Sequence, residues 1–175
     1  VTFIGAGENT PATKVQNDFV FTGTKDMVSG LSTWDVSSHR YGSVPVPVVP
    51  GYIANVGHAG SLQVTPEAPN AEELVTFKPL GKIIAVDTDG KEIQGVPTIQ
   101  YQNDPENPTK AGKTSSPLIS GYETDVLNIT PSKPEEDTPV VYRKAIQEAT
   151  ITYIDQTTGT SLESDHVTGK SGEII

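Results

Sequence analysis

Apolar residues alternate with polar ones in short runs, and turn-forming residues close each run. Val1–Ile4 is a β-branched and aromatic run, closed by Gly5-Ala6-Gly7-Glu8-Asn9-Thr10-Pro11. From Val15 to Thr24, Phe19 and Phe21 fall on one face of a period-two pattern and Val20 and Thr22 on the other. That alternation predicts a strand with one buried face, paired with the first run as a hairpin. Leu31–Val36 predicts a short strand bearing the single tryptophan, Trp34, whose simplest role is an anchor under the sheet rather than an exposed surface for stacking carbohydrate. Val44–Pro50 holds too many prolines for a central strand and should be extended or an edge. Gly81–Asp87 is again strand-like, and Asp87-Thr88-Asp89-Gly90-Lys91 is a strong hairpin-turn signal with Glu92-Ile93 returning. Tyr101–Ser116 reads as a long loop or extended crossover. Ala149–Asp155 alternates once more, turns at Thr157-Thr158-Gly159, and finds a partner strand in Ser161–Ile175. No window sustains an i, i+3, i+4, i+7 pattern, so helix should be scarce.

One pattern occurs twice. Val48-Val49-Pro50-Gly51-Tyr52, Val64-Thr65-Pro66 and Leu74-Val75-Thr76-Phe77 correspond to Leu118-Ile119-Ser120-Gly121-Tyr122, Ile129-Thr130-Pro131 and Pro139-Val140-Val141-Tyr142. The step from threonine to closing aromatic is twelve residues in each copy, and the first copy carries five more residues between Gly-Tyr and Thr-Pro. A shared register with one loop difference indicates duplicated domains. Tyr52 and Tyr122 are expected to occupy equivalent, partly buried places, each after a glycine that permits a turn. The domains this predicts are 1–78, 79–147, and a segment 148–175 that either opens a following module or completes a second domain over 79–175.

Composition narrows the class. With 175 residues, 34% hydrophobic content, 14 prolines and 16 glycines, the chain suits an elongated string of small β-domains with long proline-rich loops. A net charge of −10 excludes the basic footprint of a nucleic-acid binder and disfavours anionic membrane surfaces. No run approaches membrane-spanning length, and no signal peptide is recognised. The absence of cysteine rules out disulfides and thiolate metal sites and tilts the reading toward a bacterial exported protein or a cytosolic one.

Catalytic chemistry finds no constellation. His39, His58 and His166 stand in separate segments without a nucleophile motif, and each reads as a surface histidine. Gly5-Ala6-Gly7 lacks the rest of a dinucleotide fingerprint. In Asp87–Glu92 glycine stands fourth and Lys91 fifth, so a hairpin turn fits better than a calcium loop. Glu72-Glu73 and Glu135-Glu136-Asp137 read as solvated loops. No catalytic, cofactor-binding or metal-ligating residue is predicted, no cofactor is implied, and no ligand-binding residue is singled out.

The run Gly81–Lys91, with Gly95-Val96-Pro97-Thr98, Asn103-Asp104-Pro105, Gly121-Tyr122 and Asp137–Tyr142, resembles the mucin-binding (MucBP-type) modules of lactobacillus surface proteins. Residues 1–78 resemble the partner module of the same Mub-type repeat through Thr2–Gly7, Trp34 and Val49–Tyr52. Thr150–Asp155 with Thr157-Thr158-Gly159 resembles the opening of a following module. The resemblance implies a mainly β or α+β tandem of small ubiquitin-like β-grasp domains in a large wall-anchored, repetitive adhesin on the bacterial surface. It implies non-enzymatic binding of mucin glycoproteins or glycans, with immunoglobulins and neighbouring repeats as further partners. Mucin glycans are often anionic, so at a charge of −10 net attraction cannot drive binding. Directional hydrogen bonds, stacking, or weak contacts multiplied over many repeats must do so. The alternatives are an immunoglobulin-binding module using an exposed sheet edge, and a structural stalk.

Overall fold

The computed structural model describes residues 1–173. It is nearly all β, and its one helical element among the described residues is the single turn Gly7–Asn9. The chain divides into two compact units. The first comprises 1–81, 100–113 and 130–136; the second comprises 82–99, 114–129 and the chain from Asp137 onward.

In the first unit, β1 (Thr2–Ile4) is followed by β2 (Gly23–Lys25), β3 (Ser32–Trp34), β4 (His39–Arg40), β5 (Ser43–Pro45), β6 (Tyr52–Ala54), β7 (His58–Gly60), β8 (Gln63–Val64) and β9 (Leu74–Pro79). The central strand is β9. It runs parallel to β1, with Phe3 opposite Val75, and antiparallel to β6, with Ile53 opposite Lys78. Its alternation explains the arrangement: Val75 and Phe77 point inward and are buried, while Leu74 is exposed. Phe3, Ala6, Val46, Val49, Ala54 and Ala59 complete the core around them, and the Phe3 and Phe77 rings lie 6.3 Å apart. Each of the larger side chains contributes about 1.5–3 kcal/mol by leaving water.

The expected hairpin between Val1–Ile4 and Val15–Thr24 is not formed. Residues 11–22 carry no strand, β2 pairs with β3, and β1 pairs with β9. Parallel pairing needs a long crossover, so local alternation cannot reveal it. The chain does return beside β1, because Val1 and Lys14 exchange two backbone hydrogen bonds of 2.9 and 2.8 Å. Proline-rich β5 is an extended strand paired with β7, as expected of that segment.

The second unit holds β10 (Lys82–Val86), β11 (Ile99–Gln100), whose Gln100 falls to the first unit, β12 (Thr114–Ser115), β13 (Tyr122–Glu123), β14 (Asn128–Ile129), β15 (Thr138–Val141), β16 (Arg143–Lys144), β17 (Ile146–Ile154) and β18 (Ser161–Lys170). Its pairings repeat those of the first. β10 runs parallel to β15 as β1 does to β9, β13 pairs with β16 as β6 does with β9, and β12 pairs with β14 as β4 does with β8. Tyr52 lies opposite Pro79 and Tyr122 opposite Lys144, so the two spans differ by the same five residues as the duplicated sequence. The turns match too. The Tyr52 amide donates to the Val49 carbonyl (3.0 Å) and that of Tyr122 to Ile119 (3.1 Å), with Gly51 and Gly121 at φ 79° and 76°. Both tyrosines are half-buried. Even the cross-strand side-chain bonds correspond: Arg40 donates to Gln63 where Ser115 donates to Asn128.

The core of the second unit is thinner, resting on Ile83, Ala85, Val86, Thr114, Val140 and Tyr142. Tyr142 is 2% exposed and its hydroxyl donates to the Pro117 carbonyl at 2.6 Å. Burial pushes its ionisation above the ordinary tyrosine range, against a smaller opposing effect from Ser116. The neutral phenol is therefore the form the fold prefers. Its contribution is complete below the unfolded tyrosine pKa and is lost as pH rises through the raised folded value. Tyr142→Phe should cost about 0.5–1.5 kcal/mol in urea unfolding at neutral pH. It should also remove a late-ionising tyrosine from an ultraviolet titration.

Two hairpins share one turn design. Asp26 and Asp155 each accept hydrogen bonds through the side chain from the amides two and three residues on, and each receives the amide of a glycine four residues on, Gly30 or Gly159. Those amides hold both carboxyls below the usual aspartate range. β17 and β18 form a regular ladder from Ile146↔Lys170 to Tyr153↔Glu163, with nearly every side chain exposed or half-exposed.

Candidate functional site

The feature of the first unit that packing does not consume is a strip of aromatic rings. β4 is held against β8, and the Tyr41 amide just beyond it donates to the Leu62 carbonyl at 3.1 Å. Because successive side chains of an extended chain alternate, His39 and Tyr41 emerge on one side. Their rings meet edge to face at 4.8 Å. The irregular segment bearing Phe19 and Phe21 lies across them. Phe19 stacks flat on His39, with centroids 3.8 Å apart and planes 2° from parallel, and Phe21 meets Phe19 edge-on at 5.0 Å. All four rings are half-buried.

Trp34 stands beside this strip at the end of β3 and is 41% exposed, so it is not a core anchor. The physical reason is that β2 and β3 form an outlying hairpin whose residues are all exposed, so neither strand has an interior face to offer the indole. Its ring lies against Gly23 across the hairpin, where a Cβ would crowd it. The expected side of Phe19 and Phe21 is preserved, but what that side meets is a groove. Of the four phenylalanines only Phe3 and Phe77 enter the core.

The groove encloses about 470 Å³ and is bounded by Val15, Gln16, Asn17, Phe19, Val20, Phe21, Trp34, Tyr41, Pro66, Pro69 and Asn70. That volume is in the range of small-ligand sites. Its lining holds no carboxylate, lysine, arginine or histidine, although the whole chain carries −10. Aromatic faces and three side-chain amides, those of Gln16, Asn17 and Asn70, are what it presents. Such a wall can stack on the apolar face of a sugar ring while the amides bond its hydroxyls. The second unit differs at the position equivalent to His39. Thr114, opposite Ile129, stands where His39 stands opposite Val64, and it is 1% exposed.

The other residues considered from the sequence lie apart. His58 is on β7, and His166 is on β18, where its Nδ1 lies 3.0 Å from the Thr150 hydroxyl. The Asp87 carboxylate accepts from the amides of Asp89 and Lys91, both at 2.9 Å, and so is spent on its own turn. Two acids of the loops read as solvated are bound to backbone instead: Glu73 accepts from Gly60 (2.6 Å) and Asp137 from Lys82 (2.9 Å). From the sequence Phe19 and Phe21 read as one face of a strand and His39 as a surface histidine, and neither they nor Tyr41 read as binding residues. The available signal was a pair of aromatic i, i+2 steps, Phe19-Val20-Phe21 and His39-Arg40-Tyr41.

Comparison with known families places both ends of the chain. Residues 1–81 match the Muc B2-like domain, and residues 147–175 match the MucBP_2 mucin binding domain. The two matches, in that order, support a Mub-type mucus-binding repeat. Searches of curated proteins and of solved structures returned no match.

Proposed function

We propose that this chain is a non-enzymatic surface-adhesin repeat whose first unit takes mucin glycans in the aromatic groove. The uncharged, ring-walled, amide-bearing character of that groove within an acidic chain carries the reading. Stacking and hydrogen bonds to neutral hydroxyls are insensitive to the charge that would repel an anionic glycoprotein. A shallow site of this kind binds weakly on its own, and repetition along an adhesin supplies avidity. The two family matches support an extracellular surface location; among the described residues no helix is long and apolar enough to cross a membrane.

Beads carrying many copies of the chain should capture mucin, and Phe19→Ala or Trp34→Ala should lower the single-site affinity for released glycans about tenfold. Capture that survives both substitutions, or that survives deglycosylation of the mucin, would defeat the proposal. Immunoglobulin binding is the second reading, favoured by β17 and β18, nine and ten residues long with both outer edges unpaired by strands among the described residues. It predicts capture of purified immunoglobulin that ignores Phe19→Ala. Capture of neither ligand would leave the stalk.

For the modules we retain the β-grasp reading over 1–78 and 79–147, supported by the parallel pairing of an opening with a closing strand in each copy. The hairpin from 148 onward is read as the opening of a further mucin-binding module, supported by the family match over 147–175.

A further inference from the structure

The two Gly-Tyr turns are built alike, but only the first is capped. Inside the first unit the Asn103 side chain is bound to three backbone groups of the turn. Its Oδ1 accepts from the Gly51 amide (2.8 Å), and its Nδ2 donates to the carbonyls of Val49 (3.1 Å) and Tyr52 (2.7 Å). Five residues on, the Pro108 carbonyl accepts from the Ala54 amide at 2.8 Å. Residues 103–108 thus cover the outer edge of β6, while its inner edge pairs with β9.

The corresponding inner edge of β13 is paired in the same way, with the Ala145 amide donating to the Gly121 carbonyl as Leu80 donates to Gly51. Its outer edge is bare. The Gly121 amide, the Tyr122 carbonyl and the Thr124 amide, which match the groups bound by Asn103 and Pro108, have no hydrogen-bond partner among the described residues. Grooves of about 660 and 540 Å³ flank this turn, and Leu118 on their shared rim is fully exposed. The place that Gln100 takes beside Gly51 is filled beside Gly121 by Ser171. Only the asparagine position and the strand edge beyond it are open.

We propose that the outer edge of β13 is a docking site for an extended peptide segment carrying an asparagine, with a proline carbonyl five residues later. The first unit displays that occupant on the equivalent edge. Recognition is by strand-edge pairing, with the asparagine amide supplying one acceptor and two donors in a fixed order. Water can satisfy such an edge but cannot cover Leu118, so an occupant with apolar positions gains on both counts.

The test extends the full chain after Ile175 by a flexible Gly-Ser linker and a copy of Gln100–Lys113. The control is the same extension with alanine at the position that copies Asn103. Tethering raises the effective concentration to the millimolar range, so Gly121 and Thr124 amide exchange should slow by about tenfold or more with asparagine. Equal rates in the two chains overturn the proposal. The Gly51 and Tyr142 amides, which have partners inside their own units, should stay slow in both chains and report that each unit is folded.

Discussion

Asn103→Asp should destabilise the first unit at neutral pH by more than Asn103→Ala does, and acid should reverse much of the difference. The amide is the only arrangement of a four-heavy-atom side chain that offers an acceptor to Gly51 and two donors to Val49 and Tyr52. Alanine removes three bonds and leaves a part-buried amide and two carbonyls without that partner, a loss of roughly 2–4 kcal/mol. Aspartate keeps the Gly51 bond but turns its second oxygen, charged, toward two carbonyls. The charged form is repelled, and the protonated form can donate to one of them, so the folded pKa is raised above the unfolded value of about 3.9. The variant then gains stability, relative to alanine, as pH falls through the folded value toward the unfolded one. Urea unfolding at pH 7 and at pH 4.5, followed by Trp34 fluorescence, reads both variants against the parent chain. An aspartate variant as stable as the parent at pH 7, or one that loses further ground to alanine on acidification, would refute the role given to Asn103.

What the sequence disclosed and what it hid divide along one physical line. The duplicated turns were readable because Gly51 and Gly121 must adopt positive φ and because each tyrosine then starts a strand at a fixed offset from the closing aromatic. Register follows from chemistry local to each copy. The mainly β character followed as directly from alternation and the scarcity of helical periodicity. The partner of β1 was hidden, since Thr2–Ile4 and Leu74–Thr76 are some seventy residues apart and either could have paired locally. The groove was hidden for a related reason. Alternation shows that one face of a segment is apolar, but not what covers it. Val75 and Phe77 alternate in β9 and enter the core, while Phe19 and Phe21 alternate identically but stay half-buried, Phe19 stacked on His39 and Phe21 against Phe19. Trp34 was misplaced by the same inference. Asn103 lay in a polar loop, marked only as part of the Asn103-Asp104-Pro105 resemblance, and its role emerged only with its three partners in view.

Gly5→Ala should be among the most damaging single changes in the first unit, and Gly30→Ala shows why. Both glycines have positive φ, 100° and 76°. An added Cβ at Gly30 meets nothing within 4 Å, so its cost is the left-handed backbone alone, about 1–2 kcal/mol. A Cβ at Gly5 would overlap the backbone carbonyl oxygen of Phe77, which is fixed by β9 and by its own buried ring. Relief requires β1 to part from β9 just beyond the Ile4↔Thr76 pair, where Phe3 and Phe77 share the core. Backbone strain of about 1–3 kcal/mol and displacement of a packed strand at a similar cost sum to about 2–6 kcal/mol. The second copy needs no glycine here, since Asp87 follows the Val86↔Val141 pair as Gly5 follows Ile4↔Thr76 and does so without positive φ. Urea unfolding of the two alanine variants measures the difference, and amide exchange at Val75 and Phe77 locates it. If Gly5→Ala costs no more than Gly30→Ala, or if exchange at β9 is unchanged, then the packing of β1 on β9 does not depend on the bare α-carbon between them.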